Sequence, residues 1–151
     1  MLDDMDRRIL RQYQAGPDMT AAELAERCGL TQATCWRRLE AMRAAGVIEG
    51  LEAVIDWVAM GYTVEVSLRI TLEKSQARAF DDFLVAAREI PEVLEIQTFL
   101  GRVDVRLSVI ARDLAHYQAI YRDRILTLPH IADIEALMHM ARIKTDEALP
   151  V

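Results

Sequence analysis

The sequence predicts an α+β chain, an N-terminal winged helix-turn-helix followed by a ferredoxin-like βαββαβ domain. Three observations carry this. Residues 2–45 repeat apolar side chains at helical spacing, interrupted by a Gly-Pro-Asp stop and a Cys-Gly-Leu turn. Residues 62–72 switch to strict apolar–polar alternation. Helical and alternating stretches then follow one another in the order βαββαβ.

Leu2, Met5, Ile9, Leu10 and Tyr13 form the first helical stripe, with Asp3 and Asp4 at the end where the helix dipole favours acids. Gly16-Pro17-Asp18 stops it. Thr20 and Glu23 have the spacing of a capping box and predict a short helix over Ala21–Arg27. Cys28-Gly29-Leu30 is the tight turn, with Gly29 placed to take a positive φ. Thr31 caps a third helix that runs to about Ala45, and Gly46 ends it. Val47-Ile48 and Leu51–Ile55, around a turn at Glu49-Gly50, predict a small β-ribbon, the wing. Leu24, Ala25, Leu30, Leu39 and Met42 are the expected mini-core, closed by Val47 and Ile48.

Asp56–Gly61 is the expected hinge, so the domains read as 1–55, a hinge at 56–61, and 62–151. In Tyr62–Leu72, Val64, Val66, Leu68, Ile70 and Leu72 share one face. Ser75 is the expected cap of a helix through Arg88, with Phe80, Phe83, Leu84 and Ala87 inward. Val93–Leu100 and Val103–Ala111 predict strands joined at Gly101-Arg102. Asp113–Leu126 predicts a helix, and Ile131–Lys144 a last strand, long or bulged. A four-stranded antiparallel sheet with both helices on one side leaves its other face bare, and that face must meet water or a partner. The apolar residues of Val64–Leu72 and Val103–Val109 are expected to supply that bare face and so to drive an obligate dimer.

The 151 residues are 52% hydrophobic and 28% charged, a globular composition. A net charge of −6 argues against a protein that coats nucleic acid along its whole surface, but not against one basic element entering a groove. Cys28 and Cys35 suit neither a disulfide framework nor a zinc site, so reduced thiols and a cytoplasmic location are expected. No secretory signal and no apolar run of membrane-spanning length is present, so no membrane partner is expected. His116, His130 and His139 lie one per element, without metal-ligand spacing; no metal and no cofactor are expected.

The third helix is the basic element. Arg37, Arg38 and Arg43 fall within seven residues, opposed only by Glu40. Small and polar residues lead in, as close approach to base edges requires: Thr31, Gln32, Ala33 and Thr34. Gln32 has the two-pronged amide that pairs with adenine, Arg37 and Arg38 suit guanine or phosphate, and Trp36 suits packing on the sugar-phosphate or against the wing. These residues predict a face for double-stranded DNA.

LDDMDRRIL, AAELAERCGLTQATCWRRLEAMRAAGVIEG, IPEVLEI, LGRVD and the closing ARIKTDEALPV, in that order and spacing, resemble the leucine-responsive regulatory protein (Lrp/AsnC) family of transcription regulators. The resemblance runs nearly end to end. It implies that the second domain senses a small molecule, usually an amino acid, and assembles homodimers, which in the family often build octamers. It also implies that the effector lies at the family's Gly-x-x-Asp turn, here Gly101, Arg102, Val103 and Asp104. Physically, exposed N–H groups at a glycine turn suit a carboxylate, and an acid suits an ammonium. Arg102 is a further carboxylate partner. As a plain hairpin the same stretch needs only a positive φ at Gly101 and a turn acid at Asp104. Where relatives carry an aromatic after this Asp, Val105 stands here, implying either a pocket lined by valine with a different side-chain preference or the loss of that pocket.

Two other readings use the same architecture. A haem-pathway decarboxylase group resembles it, but carries a Tyr-Arg-Arg-Glu-His-like run where this chain reads IQTFLGRVDVRLSV, without histidine. With no phosphate loop and no Gly-x-Ser-x-Gly elbow either, an enzyme is not expected. The other is an architectural DNA-binding protein without an effector.

Overall fold

The computed structural model describes residues 2–75, 77–144 and 148–151. Gln76, inside the expected fourth helix, and residues 145–147 of the closing motif lie outside the described residues. The chain forms two compact units, Met1–Val54 with Lys144–Val151, and Ile55–Ile143. The end of the expected 62–151 domain therefore belongs to the first unit. There the Gln14 side-chain amide exchanges two hydrogen bonds with the Leu149 backbone, and Arg11 donates to the Val151 carbonyl. Residues 56–61, expected as the hinge, form a closed turn in the second unit. Asp56 Oδ1 accepts the N–H groups of Val58 and Ala59, and Gly61 takes a φ of 91°.

The first unit holds α1 (Asp4–Ala15), α2 (Ala21–Arg27) and α3 (Gln32–Ala44). Asp3 and Thr20 each make a full capping box, with Asp6 and Glu23 returning the bond. α2 and α3 end alike. Leu30 N–H reaches Ala25 O and Gly29 N–H reaches Glu26 O; Val47 N–H reaches Met42 O and Gly46 N–H reaches Arg43 O. Both glycines need the left-handed region, at φ 64° and 70°. Ile9, Leu24, Ala25, Cys28, Cys35, Leu39 and Met42 form the buried core, with Leu30 and Ile48 partly covered. Val47, expected to close this core, is exposed. The expected ribbon is also unpaired among the described residues: residues 47–55 join no ladder with them, and Leu51, Val54 and Ile55 lie in solvent.

The second unit holds β1 (Val64–Leu72), α4 (Ala79–Arg88), β2 (Val93–Thr98), β3 (Val105–Ala111), α5 (Leu114–Ile120) and β4 (Ile131–Met138). One π-helical turn, Tyr121–Ile125, extends α5. The sheet is antiparallel in the order β2-β3-β1-β4, the ferredoxin-like arrangement. Val66, Leu68, Ile70, Leu72, Val105, Leu107, Val109 and Ala111 bury against Phe83, Ala87, Tyr117 and Ile120 of the two helices.

That packing corrects the expectation about the bare face. The period of two turns the whole apolar series toward the helices. The register leaves Glu65, Ser67, Arg69 and Thr71 of β1, Arg106, Ser108 and Ile110 of β3, and Asp133, Glu135 and Leu137 of β4 on the open side. The open face is mostly polar, with Arg69–Glu135 and Arg106–Glu95 ion pairs across strands. Three smaller differences follow from local chemistry. α4 starts at Ala79 with no side-chain cap, so Ser75 does not cap it. Phe80 is turned partly outward. β4 ends at Met138 rather than Lys144, and its bulge lies opposite Thr71/Leu72.

Candidate nucleic-acid interface and effector turn

α3 buries Cys35, Leu39 and Met42 and so presents the opposite side to solvent. That side carries Gln32, Ala33, Trp36, Arg37, Glu40 and Ala41, all exposed. Thr31 Oγ1 caps the helix at Thr34 N–H and contacts Thr34 Oγ1. The two threonines thus serve the helix start itself and stand beside the exposed face.

The adjacent arginines have different environments. Arg37 is exposed and makes no hydrogen bond or ion pair among the described residues. Arg38 is turned toward α1, where its Nη1 lies 2.8 Å from Asp3 Oδ2 and 2.7 Å from Asp6 Oδ1. Its Nε is buried without a partner. The hydrogen bonds that Arg38 donates to Asp3 and then to Asp6 hold its guanidinium more firmly charged than usual. The Asp6 N–H, then Arg38, hold the Asp3 carboxyl below its usual range. Counting formal charges, the corner of Arg38, Asp3 and Asp6 is net negative. Arg43 rests over the Trp36 ring, 5.6 Å from its centroid, and bonds Glu40 and the Tyr13 hydroxyl. Both cysteines are fully buried free thiols, and burial pushes their pKa values up, away from nucleophilic thiolate.

In the second unit, Gly101 and Arg102 form a bend between β2 and β3. Gly101 does not have the positive φ expected of it; among the described residues that conformation belongs to Gly29, Gly46, Gly61 and His130. A Cβ at Gly101 would meet open space. Asp104 is committed to the turn. Its Oδ2 accepts the Leu72 N–H at 2.9 Å, and Lys74 Nζ is 3.4 Å from Oδ1. Val105 is fully buried in the helix-side core.

Beside the turn, on the open sheet face, a cavity of about 240 Å³ is lined by Arg69, Thr71, Arg102, Val103, Asp133 and Glu135. Thr71 Oγ1 donates to the Arg102 carbonyl and fixes the turn against β1. Arg69 and Glu135 face each other across the strands at 3.5 Å. The Arg102 guanidinium and the Asp133 carboxylate have no partner among the described residues. Of these lining residues, Arg102 and Val103 were expected from the sequence and Asp133 was not. The signal was present in the β4 alternation Asp133, Glu135, Leu137, but its position opposite Thr71 needs the strand register.

Residues 65–149 match the Lrp/AsnC ligand binding domain, and residues 2–49 match a winged helix-turn-helix DNA-binding family. The chain belongs to the Lrp/AsnC family. It is 31% identical to the proline dehydrogenase transcriptional activator of Rhodobacter capsulatus, over 95% of this chain and 93% of that one. It is 30% identical to the glutamate uptake regulatory protein of Zymomonas mobilis, over 99% and 91%. Among solved structures, a transcriptional regulator from Neisseria meningitidis in complex with L-Met superposes with a TM-score of 0.91 at 27% identity, covering 99% of this chain and 97% of that one. An AsnC family regulator from Agrobacterium tumefaciens superposes at 0.88 with 34% identity, over 99% and 97%.

This Lrp/AsnC chain is therefore a transcription regulator with a helix-turn-helix and a ligand-binding domain. Among the described residues no helix is long and apolar enough to cross a membrane.

Proposed function

We propose that the protein binds double-stranded DNA sequence-specifically through α3 and that a free amino acid bound beside the Gly101–Asp104 turn modulates this binding. The observation that carries the effector reading is a pair of opposite charges, Arg102 and Asp133, that line one small cavity and have no partner among the described residues. A free amino acid offers one carboxylate and one ammonium. Arg102 suits the carboxylate, and Asp133 suits the ammonium, each by a charge-assisted hydrogen bond. The cavity is smaller than the ~300–1,000 Å³ of pockets for drug-sized ligands, as suits a small metabolite. Arg69, Glu135 and Thr71 make its walls polar, which favours a polar side chain over a branched aliphatic one. Asp104 braces the turn through Leu72 and Lys74, and Gly101 keeps the approach open.

The relatives support this class of effector by what they are: one is a glutamate uptake regulatory protein, one is a proline dehydrogenase transcriptional activator, and one structure holds L-Met. On the DNA side, Gln32, Ala33, Trp36 and Arg37 form the contact face, while Thr31 and Thr34 set its start. The protein acts by binding, without catalysis. Its working form is a homodimer, because Leu51, Val54 and Ile55 leave an apolar segment uncovered in one chain. Effector binding would change assembly or domain placement and so DNA affinity.

The test is a melting screen of the twenty amino acids and their keto acids, then calorimetry with the ligand that stabilises. Arg102→Ala and Asp133→Asn are expected to weaken binding at least ten-fold, by about the worth of one charged hydrogen bond. Equal binding by both variants, with unchanged oligomeric state in sedimentation, would place the effector elsewhere.

A further inference from the structure

Trp36 stands on the exposed face of α3, one turn beyond Gln32 and next to Arg37, with half of its surface open to solvent. It is the one large apolar group on that face; its neighbours are Gln32, Ala33, Arg37, Glu40 and Ala41. An indole offers a large, flat apolar surface to any partner that covers it. The side chain is also supported. Arg43 lies over the ring at 5.6 Å, within cation–π range. Arg43 is held in turn by Glu40 Oε1 at 2.7 Å and by the Tyr13 hydroxyl at 3.2 Å, so the support reaches α1. Two helices thus hold one indole on the surface of a third-helix face otherwise made of small and polar groups.

The edges of base pairs in the major groove are hydrogen-bonding groups, apart from the C5-methyl of thymine. A polar face with one supported apolar plate matches a polar groove with one kind of apolar bump. Resting on the proposed DNA face, we infer that Trp36 reads thymine methyl groups in the target site, and that Arg43 is the positioning residue that holds the indole for this contact. Gln32 and Arg37 supply hydrogen bonds to bases and phosphate; Trp36 supplies the preference for thymine over every base without a methyl.

The experiment uses duplexes that the full-length protein enriches from a random-sequence pool. Each thymine in the enriched site is replaced singly by uracil, which removes only the methyl. Wild-type protein is expected to lose about four-fold in affinity per contacted methyl, the worth of one buried carbon. Trp36→Ala is expected to bind thymine and uracil duplexes equally. Arg37→Ala should bind more weakly yet keep the thymine preference. Arg43→Gln should narrow that preference while melting within a few degrees of wild type. A second measurement needs no variant: thymines replaced by 5-bromouracil and irradiated should crosslink to the peptide that contains Trp36.

A wild-type protein indifferent to every methyl would overturn the inference. So would a Trp36→Ala protein that keeps the full preference, or a crosslink to another residue. Trp36 packed on sugar-phosphate gives the first of these results. If the protein enriches no duplex at all, the DNA-binding reading itself fails and takes this inference with it.

Discussion

Removing Arg37 and removing Arg38 should have opposite signatures in the salt dependence of DNA binding. Each phosphate neutralised by a cationic side chain contributes about 0.9 to the slope of log K against log salt. Among the described residues Arg37 has no intramolecular partner, so a phosphate is expected to be its first counter-charge. Arg38 already faces two carboxylates at 2.7 and 2.8 Å. A phosphate would have to displace them, against the net negative charge of that corner. Arg37→Ala should therefore flatten the slope by about 0.9 per bound chain, and between 50 and 200 mM salt wild type should lose about 3.5-fold more affinity per bound chain than the variant. Arg38→Ala should leave the slope where it was and instead lower the melting temperature, because Asp3 and Asp6 lose their common partner. The assay is fluorescence anisotropy with one labelled duplex across a salt series, paired with thermal melts of the free proteins. A flattened slope in Arg38→Ala, or an unchanged slope in Arg37→Ala, would refute the division of labour read from α1 and α3.

Other outcomes follow from the same contacts. Leu107 is fully buried between sheet and helices, so Leu107→Ala should cost about 2–5 kcal/mol in a denaturant titration, whereas Leu137→Ala on the open face should stay within about 0.5 kcal/mol. Asp3 and Glu23 have lowered folded pKa values, from the Asp6 and Thr20 backbone N–H groups first. A depressed acid stabilises the fold above its unfolded pKa and loses that contribution as pH falls through the folded value. Stability of the first unit should thus drop on the acid side of the carboxylate range. Asp3→Asn, which can still cap α1, should weaken that drop when melts are compared at neutral and acid pH. Gly46→Ala should cost about 1–2 kcal/mol from its left-handed backbone, while Gly101→Ala should melt like wild type, so lost effector binding in the latter would report the site alone.

The sequence by itself determined the elements that depend on near neighbours. Caps at Thr20 and Thr31, the glycine ends at 29 and 46, and the 3.6- and 2-residue periods are local chemistry. They are written in the side chains within a turn of each other. The same is true of the exposed face of α3, because burying Leu39 and Met42 leaves only one side for Gln32, Trp36 and Arg37. The family motifs, too, are contiguous stretches.

Tertiary structure decided whatever depends on residues distant in sequence. Arg37 and Arg38 look equivalent on the page, and only the approach of α1 engages one of them with Asp3 and Asp6, more than thirty residues away. Asp104 looked like a free turn acid until β1 brought the Leu72 N–H and Lys74 to it. Asp133 joins Arg102 in lining one cavity only because the β1–β4 register sets it opposite Thr71. The bare sheet face was misjudged for the same reason: alternation says that two faces differ, but the side taken by the helices says which one is wet. Periodicity along a chain carries one element's own amphipathic pattern, whereas a partner's charge or N–H arrives through loop closure and strand register, which no local pattern encodes.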